Sequence, residues 1–206
     1  MIKNSYKTLY ATTASLLTVI TLSTSPALAD DGVYFSLSGG LATVDIGDSA
    51  GQTAQTIANA AGQTVNYEYD QATWALRLAA GIPVTDAISI EGGYFMTGDI
   101  DIKYSLPTAS AEENYSASGF DIVAKYTTDT GLFLKGGAHR SEVTAKGSIT
   151  IGGTAYNVGS VSASGSGIVL GIGIETNGSI YGYDMYQDVA GFKGNDVGYL
   201  YYGIKF

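Results

Sequence analysis

The run from Asp196 to Phe206 reads Asp-Val-Gly-Tyr-Leu-Tyr-Tyr-Gly-Ile-Lys-Phe and stops on an aromatic side chain. Counting back in twos from Phe206 gives Ile204, Tyr202, Leu200 and Gly198, with Lys205, Gly203, Tyr201 and Tyr199 between them. Period-two alternation of this kind puts the first set on one face of a β-strand and Lys205 on the other. A strand at the end of a chain leaves an open sheet edge unless it pairs with the first strand, which closes a barrel.

The start of the chain has the pattern of an exported protein. Lys3 and Lys7 precede the apolar run 16–22, and Ala27-Leu28-Ala29 has the small residues of a cleavage site. This predicts a secretory signal peptide over 1–29 and a mature barrel domain over 30–206. The apolar run is far shorter than the ~20 residues of a spanning helix.

Composition narrows the class further. Glycine (28) and tyrosine (16) are abundant, proline (3) is scarce, and cysteine is absent, which removes disulfides, thiolate metal sites and a lipidated cysteine. The formal charge is −9, and losing Lys3 and Lys7 leaves 8 basic side chains against 19 acidic ones. Phosphate binding needs clustered Lys and Arg, so nucleic acid is not an expected partner.

Strand after strand then shows one apolar face and one small or polar face. Val33, Phe35, Leu37, Gly39 and Leu41 point one way in the first, after which 47–66 reads as a polar loop with Ala-Gly-Gln-Thr at 50–53 and 61–64. Trp74, Leu76, Leu78, Ala80 and Ile82 mark the second strand, and Ile88, Ile90, Gly92, Tyr94 and Met96 the third. The third strand's outward alternation continues through Ile100, Ile102 and Tyr104. Phe120, Ile122, Ala124 and Tyr126 define the fourth, and Leu132, Leu134, Gly136 and Ala138 the fifth, before a long excursion over 140–162 with a hairpin tip at 149–154. Ile168, Leu170, Ile172 and Ile174 define the sixth. Asn177-Gly178 then predicts a two-residue type I′ hairpin, which switches outward parity from even to odd. The seventh strand duly offers Tyr181, Tyr183 and Met185.

The total is eight strands, with tight turns at Pro83, Asp129 and Asn177 alternating with longer segments at 47–66, 105–115, 140–162 and 187–196. The predicted fold is all-β: an eight-stranded antiparallel up-and-down transmembrane β-barrel closed by its first and last strands. Short turns at one end and long loops at the other match outer-membrane barrels, and core runs of about ten residues match tilted spanning strands.

The second face carries charge. Arg77, Glu91, Asp121, Lys135 and Asp184 lie on it at similar height, with His139 nearby and Phe133 the one large apolar residue expected among them. A soluble barrel would bury its apolar face around a ligand, whereas here the apolar face needs lipid and the charges must point inward and pair. A three-residue turn at Pro83 pairs Ile82 with Asp86 and sets Arg77 opposite Glu91, and Asp121 falls diagonal to Lys135 and His139. Eight strands leave an interior just wide enough for side chains to fill, so these six residues read as a charge network that plugs the barrel. A narrow polar passage is the alternative.

The aromatic C-terminus, with Leu200, Tyr202, Ile204 and Phe206 at alternate positions, resembles the assembly signal of bacterial outer-membrane β-barrels. With the opening strand 33–40, it makes the chain similar to the OmpA-like and OmpX/Opa group, without a periplasmic domain after Phe206. The resemblance implies location in the bacterial outer membrane, contact with its lipid and lipopolysaccharide, and delivery by the barrel-assembly machinery. It also implies a surface role such as adhesion, host or cell-surface ligand contact through the loops, or envelope integrity, with no cofactor and no catalysis. OmpW-like barrels suggest a small-solute conduit instead. His139 and Ser141 resemble the His-x-Ser pair of lipid A deacylases, but Gly152-Gly153-Thr154 stands where a carboxylate is required, and Glu142 alternates to the opposite face. Asp99, Asp101, Glu112 and Glu113 lack the spacing of a calcium loop and read as a solvated acidic rim.

Overall fold

The computed structural model describes residues 32–45, 49–62 and 64–206; the expected signal peptide lies outside them. In chain order the elements are β1 (Tyr34–Asp45), α1 (Ser49–Ala61), β2 (Asn66–Tyr69), β3 (Ala72–Pro83), β4 (Ile88–Thr97), β5 (Ile100–Ser105), β6 (Ala109–Thr127), β7 (Leu132–Ile151), β8 (Thr154–Thr176), β9 (Ser179–Tyr186), a 3-10 turn at Val189–Gly191, and β10 (Asp196–Lys205). Eight of the strands form a closed antiparallel ring in the order β1-β3-β4-β6-β7-β8-β9-β10. β10 returns to β1 along a continuous register from Ser36↔Lys205 to Asp45↔Asp196. The seam ends in a reciprocal backbone pair: Phe35 N–H donates to the Phe206 carbonyl (2.8 Å) and Phe206 N–H to the Phe35 carbonyl (2.9 Å). Closure satisfies every ladder donor and acceptor without water, which a barrel in lipid requires.

The outward face is the apolar one. Leu37, Leu78, Ile90, Ile122, Leu134, Ile172 and Leu200 are between 39 and 61% exposed, on seven different strands around the ring. So continuous a belt has no stable place in water and puts the barrel in a bilayer.

The turns are where expectation and structure part. Asn177 and Gly178 have φ of 49° and 77°, and Thr176 faces Ser179, as the type I′ reading requires. At Pro83 the turn is longer than expected: Pro83 faces Ser89, Ile82 faces Ile90, and the Thr85 hydroxyl accepts from Ile88 N–H at 3.0 Å. Arg77 consequently faces Phe95, and Glu91 faces Gly81. The next hairpin is displaced by two residues, so that Asp121 lies directly opposite His139.

Two larger corrections concern the long-loop end. Residues 49–61, expected as polar loop, form a helix whose Ala54, Ile57 and Ala58 face β5 and β2. Spacing of three and four residues makes them one helical stripe, but small alanines carry a faint signal. Ile102 and Tyr104, expected to point outward, are buried under that helix, and Ile100 is buried too. The cause is a one-residue slip. Met96 pairs with Ser118, but Ile100 pairs with Tyr115, so β4 carries one extra residue before β5. An extra residue of this kind sends each later side chain to the opposite face.

Candidate functional site

The inward positions of the ring assemble a ladder of ions. Arg77 grips Asp121 with two parallel bonds, Nε to Oδ2 at 2.9 Å and Nη2 to Oδ1 at 2.7 Å, the fork-on-carboxylate geometry that arginine suits best. Its third nitrogen, Nη1, reaches Glu91 Oε2 at 3.3 Å, four residues along β4 from the facing Phe95. Glu91 also meets Lys125 at 3.4 Å and accepts from the Tyr34 hydroxyl at 2.8 Å. Lys125 in turn holds Glu175 at 2.6 Å, and Glu175 holds Lys205 at 2.5 Å near the short-turn end. Lys135 pairs with Asp184 at 2.6 Å, one strand pair away. Four cations therefore meet four carboxylates inside the ring, in a medium where an unmatched charge would be costly.

Of the expected network, Arg77, Glu91 and Asp121 come together, and Lys135 joins Asp184 and not Asp121. Sequence reasoning left out Lys125, Glu175 and Lys205, as well as the tyrosines that complete the carboxylate shells. Tyr186 donates to Asp121 at 3.0 Å and Tyr201 to Asp184 at 3.3 Å. The expectation that Phe133 would be the one large apolar neighbour also fails. Phe95 and Tyr186 pack at 4.3 Å, Tyr199 and Tyr201 at 4.9 Å, and Lys125 lies 4.7 Å over the Phe133 ring. What space remains among Arg77, Glu91, Lys125, Lys135 and Tyr201 is about 10 Å³, barely room for one water.

His139 and Ser141 face inward and contact the segment that follows β9. His139 Nε2 lies 2.8 Å from the Gln187 carbonyl, and Ser141 Oγ accepts from Ala190 N–H at 2.9 Å. No hydrogen bond joins the two among the described residues, and Glu142 stands exposed on the opposite face. Both side chains instead tie down 187–191, which dips into the mouth of the ring and buries Val189 and Ala190. Ala190 has φ of 58°, an unfavourable value for a residue with a Cβ. Gly165 makes the descent possible: a Cβ there would lie 2.4 Å from Gly191 N. The segment expected as a contact loop at 187–196 is thus partly a lid.

Above that lid, α1, β5 and β6 enclose a second space of about 310 Å³. Its walls are mainly apolar, with Glu113 as the one charged lining residue. The Tyr115 hydroxyl donates to Glu113 Oε2 at 2.7 Å. Burial, reinforced by that carboxylate, raises the Tyr115 hydroxyl well above its usual range and pushes Tyr104 up to about 12. Two of the other rim acids are engaged locally: Asp101 accepts from Asn114 and Glu112 pairs with Lys103 at 3.7 Å. No cluster of metal-ligating side chains occurs among the described residues.

Beyond the lid, β7 and β8 continue as a ribbon to Ile151 and Thr154, with β6 paired along β7 as far as Ala109↔Ile151, while β9 stops pairing with β8 at Val169. Tyr156, Val158 and Val161 stand exposed on it.

No protein-family model matches the chain, and neither does the sequence of any curated protein. Among solved structures, it is similar to Ail, the attachment invasion locus protein of Yersinia pestis, in complex with the heparin analogue sucrose octasulfate. That match has a TM-score of 0.50 and 12% identity, over 84% of this chain and 99% of that one. The fold is that of an eight-stranded outer-membrane β-barrel. Neisserial surface protein A matches over 84% of this chain and 96% of its own, at 16% identity and a TM-score of 0.42.

Proposed function

We propose that this protein is an outer-membrane barrel of a bacterium that is closed to solutes and acts through what it presents at the cell surface. The observation that carries this reading is the pairing of a filled interior with a projecting ribbon. Inside, the matched ions and aromatic rings around Arg77, Glu91, Lys125, Lys135 and Tyr201 leave only about 10 Å³ between them. Outside, the ribbon carries apolar side chains, Val161 at 73% exposure among them, and exposed apolar surface on a projecting element marks a site of contact. Lipid and lipopolysaccharide surround the barrel in this reading, and a host or cell-surface ligand meets the ribbon.

Ail was solved with a heparin analogue, but charge argues against a sulfated polyanion as the partner here. Asp70, Asp99, Asp101, Glu112 and Glu113 outnumber Lys103, Lys146 and Lys193 at this end of the barrel, and like charge repels. We further assign export to residues 1–29 and recognition by the barrel-assembly machinery to Leu200, Tyr202, Ile204 and Phe206. The last four share the outward or half-exposed face of the closing strand. A lipid-modifying activity has no support in His139 and Ser141, because His139 Nε2 and Ser141 Oγ are engaged by the lid.

Two measurements test the proposal. Purified barrel in planar bilayers is expected to give no steady unitary current, and stable currents would favour the conduit instead. Bacteria displaying a barrel whose ribbon is cut back to a short turn between Glu142 and Ser164 are expected to lose adhesion to host cells, with barrel content of the membrane unchanged. Undiminished adhesion by the shortened barrel would remove the ribbon from the account.

A further inference from the structure

The space between the lid and α1 is independent of whatever the ribbon touches. We propose that it is a binding site for a small apolar molecule bearing one amine. Its volume, about 310 Å³, lies at the lower end of small-molecule sites, roughly 300–1,000 Å³. The walls come from five directions: Val44 on β1, Ile100 and Ile102 on β5, Val143 on β7, Phe192 after the lid and Val197 on β10. Elements so far apart in sequence converge here because the extra residue before β5 turns Ile100 and Ile102 inward and α1 covers them.

Of the polar groups in the lining, Ser116 and Asn195 are neutral, and Thr97, Tyr104 and Tyr115 are engaged within the protein. Thr97 Oγ1 accepts from Ala117 N–H at 2.9 Å and donates back to the Ala117 carbonyl at 3.4 Å. Tyr104 hydrogen-bonds Thr53, and Tyr115 occupies Glu113 Oε2. Among the described residues no hydrogen bond or ion pair engages Glu113 Oε1, and no lysine or arginine lines the space. A lone carboxylate oxygen at the edge of an apolar chamber accepts from a donor and repels an anion. A protonated amine on an apolar body supplies that donor, while the body replaces water along the valines and isoleucines.

The test uses three probes with one ring system: 1-naphthylmethylamine, 1-naphthalenemethanol and 1-naphthoate, titrated into the full barrel in nanodiscs. The amine is expected to bind saturably at one site per barrel, at least about tenfold tighter than the naphthoate, the effect of one charge-assisted hydrogen bond. Glu113→Gln is expected to erase that preference. Ala117→Phe and Val143→Phe, which fill the chamber, are expected to abolish saturable binding of all three probes. Glu113→Gln alters only the rim, so it gives a reading even if a bulky variant fails to assemble. Equal binding of amine and naphthoate, or an amine affinity unchanged in a folded chamber-filling variant, would overturn the proposal. Bilayer partitioning would produce just that second result.

Discussion

Arg77→Ala is expected to cost about 3–5 kcal/mol of barrel stability, the penalty for breaking a buried ion pair from one side. The loss would appear as a lower midpoint in denaturant unfolding from lipid vesicles. The size follows from what is left behind. Asp121 loses both arms of the fork and keeps only the Tyr186 hydroxyl at 3.0 Å. Glu91 retains Lys125 and Tyr34, so the damage concentrates on one carboxylate. Substituting Asp121→Leu together with Arg77→Met should recover much of the loss, because no lone charge then remains inside. Removing Lys103 from its exposed pair with Glu112 makes the contrast, since exposed pairs of this kind contribute little. If Arg77→Ala proves as mild as Lys103→Ala, the ladder is not what fills the barrel.

The second large effect is expected at the seam. Gly40 on β1 faces inward where β10 passes close, and a Cβ there would lie 1.9 Å from the Leu200 carbonyl oxygen and 2.8 Å from Tyr201 Cα. These are backbone atoms of the strand that closes the ring, and they cannot yield without breaking the ladder. Gly40→Val is therefore expected to prevent closure, seen as loss of the compact, fast-migrating band in unheated electrophoresis. Gly92, on the outward face of β4, has open space where a Cβ would stand, with no atom within 4 Å. Gly92→Val should leave that band in place. Equal tolerance at both positions would mean that β1 and β10 do not meet as closely as described.

How much of this was legible in the residues depends on the physical signal at each point. Outward faces were plain, because lipid demands large apolar side chains on alternate positions of each strand. Asn177-Gly178 specified its own turn and register, since few other residues adopt positive φ in succession. Pro83-Val84-Thr85 did not, because the decisive contact is a Thr85 hydroxyl that caps a longer loop. Inward charges were visible as a set, yet their pairing was not: an arginine spans several residues, and one shift in turn length re-sorts the partners. That is why Lys135 was matched to the wrong acid, and why Glu175, beside a turn, went unnoticed. The helix and the inversion at Ile100 were hidden for a shared reason. A thirteen-residue helix of small polar residues is marginal alone, and it exists here because a slipped strand turned its apolar side toward it.

The central claim is that the alternating face of the ring touches lipid, and tryptophan fluorescence tests it most directly. The chain contains a single tryptophan, Trp74, so Trp74→Phe gives a dark background. Leu78→Trp in that background places the fluorophore on the belt, and Val158→Trp places it on the ribbon. Reconstituted into vesicles of brominated lipid, the barrel with Leu78→Trp is expected to lose most of its emission relative to ordinary lipid, while that with Val158→Trp keeps its own. Emission at position 78 that is indifferent to bromine would contradict the account.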